Sequence, residues 1–286
     1  LKVVVDAGNG TGGEIAVPLY EAMGCEVIPL YCDVDGTFPN HHPDPTVPAN
    51  LKVLISTVKR HKADVGIAFD GDVDRIGVVD EKGGVIFGDK LLILFARAIL
   101  KEKPGATVIS EVKGSRTLYN DIAKHGGNPV MWRTGHALIK AAMKQFHAEV
   151  AGEMSGHMFF KHRWYGFDDA IYSGARLIEL LAAEERPLSE HLADVPAMFS
   201  TPEIRIETDE NRKFRIVAEA TRYFKDDLGL DVNTIDGARI EFEDGWGLLR
   251  ASNTSPVLVM RCEAETKKRL VEIEKLISTK VHALNQ

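Results

Sequence analysis

Val65-Gly66-Ile67-Ala68-Phe69-Asp70-Gly71-Asp72-Val73-Asp74-Arg75 joins five consecutive apolar residues to three carboxylates at alternate positions. An apolar run of that length reads as a strand buried on both faces, the kind found in a sheet covered by helices. The carboxylates then emerge together at its C-terminal end. Charges this close repel strongly, a conflict that a hard divalent cation with oxygen ligands removes. Gly71 lets the backbone bend so that the side chains converge, and three protein ligands leave positions for phosphate oxygens and water, as Mg²⁺ takes in phosphoryl transfer. Asp70, Asp72 and Asp74 are therefore the candidate metal ligands. A calcium-binding EF-hand fits less well. Glu81 stands at its twelfth position, but Arg75 replaces the glycine of its sixth, and strands replace the flanking helices. A solvated acidic turn is the plainer alternative.

Outward from this stretch the chain alternates strand and helix. Val3–Val5, Glu26–Leu30 and Val65–Phe69 read as strands, with helices over Glu14–Met23 and Asn50–Arg60 between them. Ile76–Val79 and Val85–Phe87 read as a hairpin. A second such unit follows, with helices at Leu91–Leu100, Leu118–His125, His136–Phe146, Ala170–Ala183 and Leu188–Leu192. Its strands are Thr107–Ser110, Pro129–Trp132 and Glu149–Ala151. The tail groups strands at Glu203–Ile206, Ala238–Phe242, Gly247–Ala251 and Val257–Cys262 with helices Asn211–Phe224 and Lys267–Ala283. The expected fold class is α/β: two consecutive α/β domains with mixed sheets, residues 1–86 and 87–195, then a smaller α+β C-terminal domain, 196–286.

Composition narrows the function. A formal net charge of -7 is too acidic for a protein whose main partner is nucleic acid. No apolar run approaches the roughly 20 residues that span a bilayer. Three cysteines, Cys25, Cys32 and Cys262, lack metal-site spacing and point to a reducing cytoplasm. The chain opens inside an apolar strand with neither Met nor a signal-peptide pattern, so an upstream segment is expected.

Four further motifs carry chemistry. Gly8-Asn9-Gly10-Thr11-Gly12-Gly13 fits G-x-G-x-x-G between a strand and a helix, with Asp33 twenty positions beyond. It keeps a dinucleotide-binding oxidoreductase open beside a plain tight turn. Gly152-Glu153-Met154-Ser155-Gly156-His157 offers an acceptor, a hydroxyl and an imidazole in one turn, a set suited to sugar hydroxyls, or simply a polar loop. Arg250-Ala251-Ser252-Asn253-Thr254-Ser255-Pro256 offers a guanidinium, side-chain donors and turn amides to a phosphate dianion. An ordinary Asx or ST turn explains Asn253 and Thr254 but not Arg250. Lys113 and Arg133-Thr134-Gly135-His136 follow strands, where α/β sheets place their ligand crevices.

Taken in order and spacing, Asp70–Arg75, Gly152–His157 and Arg250–Pro256 resemble the α-D-phosphohexomutase superfamily. The stretches Pro39–Pro45, Trp132–Lys140 and Trp164–Asp169 are similar to its bacterial phosphomannomutase/phosphoglucomutase members, and the likeness covers essentially the whole chain. The resemblance implies four domains around one cleft, of which this chain is the second to fourth. It implies Mg²⁺ on Asp70, Asp72 and Asp74 with Arg75 beside them, and Lys113, His136 and His157 lining the cleft. Lys113 and His157 become candidates for proton transfer or phosphate contact, with Arg75, Lys113 and His157 forming the catalytic set. Glu153 and Ser155 would grip the sugar, and Arg250, Ser252, Asn253 and Thr254 the distal phosphate. Hexose phosphates are the implied substrates, with glucose 1,6-bisphosphate or mannose 1,6-bisphosphate as activator and intermediate. The family's phosphoserine lies in a T-A-S-H-N-P-like loop, and no such loop occurs in these residues. Ser155 and Ser252 are not substitutes, since ligand binding already explains both. The nucleophile is expected on a missing N-terminal domain, which leaves a non-catalytic sugar-phosphate-binding fragment as the alternative for the isolated chain.

Overall fold

The computed structural model describes residues 1–285. The first sheet is built from β1 (Lys2–Asp6), β2 (Glu26–Leu30), β3 (Val65–Phe69), β4 (Ile76–Asp80) and β5 (Val85–Ile86), in the order β2-β1-β3-β4-β5. β1 pairs in parallel with β2 and β3, with helices α1 (Gly13–Ala22) and α2 (Lys52–His61) as crossovers. β4 runs antiparallel to β3, placing Phe69 opposite Ile76. The acidic stretch is thus the turn between these two strands. β3 is buried at every position, as its unbroken apolar run requires.

Helix α3 (Gly88–Glu102) is apolar almost all round and buried from Leu91 to Ala96, the pattern of a helix enclosed by other elements. It packs on β4 of the first sheet and on β8 (Val150–Gly152) of the second. That second sheet has the order β7-β6-β8-β9, with β6 at Thr107–Glu111, β7 at Asn128–Trp132 and β9 at Met158–Phe160. Helices α4 (Arg116–Lys124), α5 (His136–Gln145) and α6 (Ala170–Ala183) complete this layer. One apolar cluster runs from Val3 to Leu188 and includes residues of both sheets.

The chain separates into two compact units, residues 1–131 with 135–195, and residues 132–134 with 196–286. The second unit has its own sheet, β10 (Phe199–Ser200), β15 (Val257–Ala264), β14 (Gly245–Ala251), β13 (Ala238–Phe242) and β12 (Asp231–Asn233), with β11 (Ile204–Glu207) also on β15. Its strands pair antiparallel throughout the described residues. Helices α7 (Lys213–Arg222) and α8 (Lys267–Asn285) pack on β14, closing a core of its own around Ile216, Phe224, Ile240 and Ile277.

The structure is α/β with mixed sheets followed by an antiparallel α+β unit, as the alternation implied. Differences are local. The expected helix Asn211–Phe224 is α-helical only over Lys213–Arg222 and continues as a π-helical turn, Tyr223–Asp227. The helix expected at Leu188–Leu192 is a single 3₁₀ turn, Leu188–Glu190. β9 was not anticipated, because three residues of one apolar run carry no period. Among the described residues no helix is long and apolar enough to cross a membrane.

Candidate active site

The acidic turn is organised by its own first residue. Asp70, 2% exposed, accepts the backbone N–H groups of Asp74 and Arg75 at 3.0 Å each through Oδ1. The Arg75 Nε donates to its Oδ2 at 2.7 Å, and Arg75 Nη1 donates to Asp44 at 3.2 Å. Val73 adopts φ 68°, a conformation costly for a β-branched residue. The Asp70 hydrogen bonds hold the turn in this shape, and one oxygen each of Asp70, Asp72 and Asp74 lies within 4.8 Å of the others.

The charges of this turn are unbalanced. Burial raises the Asp70 carboxyl, but its hydrogen bonds with Asp74 and Arg75 win and hold it below the ordinary range. Asp74 is driven the other way, by burial first, then by its bond to Asp70 and the charges of Asp70 and Asp72. Its Oδ1 is buried without a hydrogen-bond partner, the Arg75 Nε standing off at 3.7 Å. A buried acceptor with no donor costs about 1–3 kcal/mol. Three hard oxygen donors around an orphaned lone pair fit a divalent cation such as Mg²⁺, so Asp70, Asp72 and Asp74 could hold one.

The Gly152–His157 turn links β8 to β9 and meets the acidic turn directly. Arg75 and His157 form an isolated antiparallel bridge, and Ile76 N donates to Gly156 O at 3.1 Å. Gly156 has φ 100°, and a Cβ there would sit 2.4 Å from Ile76 O, so only glycine permits this approach. His157 Nδ1 lies 3.1 Å from Asp168 Oδ2 and 3.6 Å from Asp74 Oδ2. Burial lowers its basicity, but the Asp168 hydrogen bond and the charges of Asp74 and Glu153 raise it further. Glu153, 4% exposed, accepts the Gly135 N–H at the start of α5 at 2.7 Å. Burial, then the Glu111 charge, pushes its carboxyl up against the lowering effect of that amide. The Ser155 side chain is partly exposed.

Lys113 and His136 flank this turn differently. Lys113 is 9% exposed, with Nζ 3.9 Å from Glu111 and its backbone N–H bonded to the same carboxylate at 2.8 Å. His136 is exposed at the start of α5, and its ring lies 6.1 Å from that of His157 at 19°.

In the second unit Arg250 is 5% exposed on β14, its Nε donating to Asp236 at 3.0 Å. Ser252 N donates to Val257 O, and its Oγ accepts from Thr254 N at 3.3 Å. Asn253 and Thr254 are exposed at the tip. The buried Lys213 ammonium donates to Ser255 O at 3.2 Å and pairs with Glu210 at 2.6 Å, tying the loop to the start of α7.

The Gly8–Gly13 turn is no open cradle. A Cβ on Gly8 would meet Pro43 at 2.9 Å and one on Gly10 would meet Gly71 O at 2.8 Å, while Thr11 N donates to Gly71 O. These glycines pack the acidic turn and the Pro39–Pro45 stretch. The dinucleotide alternative loses its footing here.

Residues 1–84 match the family model described as phosphoglucomutase/phosphomannomutase, alpha/beta/alpha domain II; residues 87–199 match domain III, and residues 203–280 the C-terminal domain. The chain belongs to the phosphoglucomutase/phosphomannomutase family. Within the family it is 52% identical over 285 residues to the phosphomannomutase/phosphoglucomutase of Pseudomonas aeruginosa, covering 100% of this chain and 61% of that protein. The structure of a family protein from Burkholderia thailandensis superposes with a TM-score of 0.92 at 46% identity, over 99% of this chain and 60% of that one. N-acetylphosphoglucosamine mutase from Aspergillus fumigatus, solved with GlcNAc-6P and magnesium, shares the fold at 17% identity and TM-score 0.73, over 100% of this chain and 62% of that one. The chain thus spans about three fifths of the length of these relatives.

Reading the sequence missed Asp44, Glu111, Lys140, Asp168 and Asp236, which touch the candidate groups, and Lys213, which bonds the loop at Ser255. Asp44, Lys140 and Asp168 lie inside stretches similar to the family, which is the one signal that could have found them.

Proposed function

We propose that the chain carries the metal, sugar and phosphate sites of a phosphohexomutase that interconverts hexose 1-phosphate and hexose 6-phosphate, mannose or glucose, through a phosphoserine and a bisphosphorylated intermediate. The phosphoserine lies outside these 286 residues, since they contain no T-A-S-H-N-P-like loop. The observation that carries the reading is the backbone bridge between Arg75 and His157. It sets a three-carboxylate turn against a turn rich in hydrogen-bonding groups, as transfer of a phosphoryl group to a sugar hydroxyl requires.

Asp70, Asp72 and Asp74 would hold Mg²⁺, the metal with which the Aspergillus mutase was solved. When bound it supplies positive charge to the oxygens of the transferring group. Arg75 adds a fixed guanidinium at the same edge. Glu153 and Ser155 orient the sugar hydroxyls, and Lys113 and His136 line the pocket. His157 takes the proton of the attacking hydroxyl as that oxygen's electron pair forms the bond to phosphorus and the serine oxygen leaves with its own. Arg250, Ser252, Asn253 and Thr254 bind the phosphate that does not react. Because this one pocket must take the C1 phosphate of one isomer and the C6 phosphate of the other, the intermediate must turn round, with glucose 1,6-bisphosphate or mannose 1,6-bisphosphate serving as activator. We place the protein in the cytoplasm on its three free thiols.

Calorimetry with Mg²⁺ and with glucose 1-phosphate tests this directly. Mg²⁺ binding should vanish in Asp72→Asn, and Arg250→Ala should weaken glucose 1-phosphate and glucose 6-phosphate alike. The isolated chain should show no mutase turnover, and joining it to a phosphoserine domain should restore it. Unchanged Mg²⁺ binding in Asp72→Asn, or loss of only one isomer in Arg250→Ala, would contradict the assignment.

A further inference from the structure

Asp168 has no part in the roles given so far, yet it is held from three sides. Its backbone bridges to Phe159 of β9, Lys140 Nζ of α5 donates to Oδ1 at 3.1 Å, and Oδ2 faces His157 Nδ1 at 3.1 Å. The loop that carries it is anchored at both ends. Trp164 stacks on Tyr172 of α6, rings 4.3 Å apart at 9°, and Asp169 caps that helix by accepting the Tyr172 N–H at 2.9 Å. Burial would raise the Asp168 carboxyl, but its bonds from His157 and Lys140 hold it well below the usual carboxylate range. It stays ionised, and an ionised carboxylate only accepts.

This constrains the imidazole. Nδ1 of His157 lies at hydrogen-bond distance, 3.1 Å, from the Asp168 carboxylate. A ring nitrogen bonded to a carboxylate that only accepts carries the proton, so the lone pair of the neutral ring falls on Nε2. Among the described residues Nε2 has no hydrogen-bond partner. We propose that Asp168, itself steadied by Lys140, is a positioning residue that fixes His157 as the Nδ1–H tautomer and reserves Nε2 as the basic nitrogen at the sugar hydroxyl. A carboxylate behind a catalytic imidazole acts in this way, through tautomer and ring orientation rather than by taking the proton itself. The proposal rests on the reading of His157 as the proton carrier.

Long-range ¹H–¹⁵N correlation spectra of the ¹⁵N-labelled chain, recorded above the imidazole titration, read the tautomer directly. The wild-type chain should show His157 protonated on Nδ1, with or without Mg²⁺. Asp168→Asn should shift the population toward Nε2–H, because an amide NH₂ can donate to Nδ1. Lys140→Met, which keeps the carboxylate, should leave Nδ1–H dominant. A wild-type Nε2–H ring overturns the proposal whether or not the variants fold, and so does an unchanged tautomer in folded Asp168→Asn. In the chain joined to its phosphoserine domain, Asp168→Asn should lower kcat by at least about tenfold with KM nearly constant. A switched tautomer with normal kcat would leave the positioning intact and sink instead the proton-transfer role of His157.

Discussion

At the scale of single residues, the site is a set of carboxylates whose neighbours decide their state. Glu153 shows this outside the metal turn. Burial, then Glu111, raises its carboxyl, and the Gly135 amide only partly compensates. The folded state therefore holds this proton to higher pH than the unfolded chain, which releases it near about 4.3. Stability from this group is fully present below that value and is lost as pH rises through the folded value. Glu153→Gln keeps an acceptor for Gly135 and has no such dependence. Its urea midpoint should gain on wild type as pH rises through that window, and a gap constant with pH would refute the assignment. Residues of this kind were legible as chemistry, not as connections. Asp70, Asp72 and Asp74 announce themselves by spacing, whereas Asp44 precedes Arg75 by 31 residues and Asp168 follows His157 by 11, neither at a telling interval. Their meaning lies in Arg75 and His157, which only folding brings near.

At the scale of elements, the functional turns are held by one another. The β3–β4 turn and the β8–β9 turn meet through Arg75 and His157, and Gly156 is the point of closest approach. Gly156→Ala places a methyl group 2.4 Å from the Ile76 carbonyl at a φ of 100°. The neighbour is backbone of a central strand and cannot swing aside. Unfolding by urea should show a loss of at least about 1–3 kcal/mol from backbone strain alone. Mg²⁺ binding should weaken as well, since the turn opposite must shift, whereas a variant as stable as wild type would show the contact to be yielding. The strands and helices that border these turns were readable from periodicity, and Ala170–Ala183 appears as expected from end to end. β9 and the π-helical turn after Arg222 were not. Their states are fixed by pairing with β8 and by packing under β12, which no local pattern records.

At the scale of the molecule, the two compact units differ in how far they depend on the rest of the chain. The core of the C-terminal unit consists of residues from Ile204 to Leu284 and closes around α7 and α8. A domain with its own core is expected to fold alone. Residues 196–286 expressed separately should give a dispersed amide spectrum and a cooperative urea transition. Trp246 reports it well, being the sole tryptophan of that segment, fully buried and with the Arg239 guanidinium 3.8 Å from its ring centroid. Its emission should shift to the red on unfolding, and an already red-shifted spectrum in buffer would show that the segment needs the remainder of the chain. The first two sheets offer no such division. Helix α3 turns one side to β4 and another to β8, so its side chains answer to two neighbours at once. That shared helix limits inheritance: a gene chimera spliced at Phe87, joining the first sheet of one relative to the second of another, receives an α3 fitted to only one of its hosts. The two sheets must therefore drift together, each accepted change on one side narrowing which changes the other can tolerate.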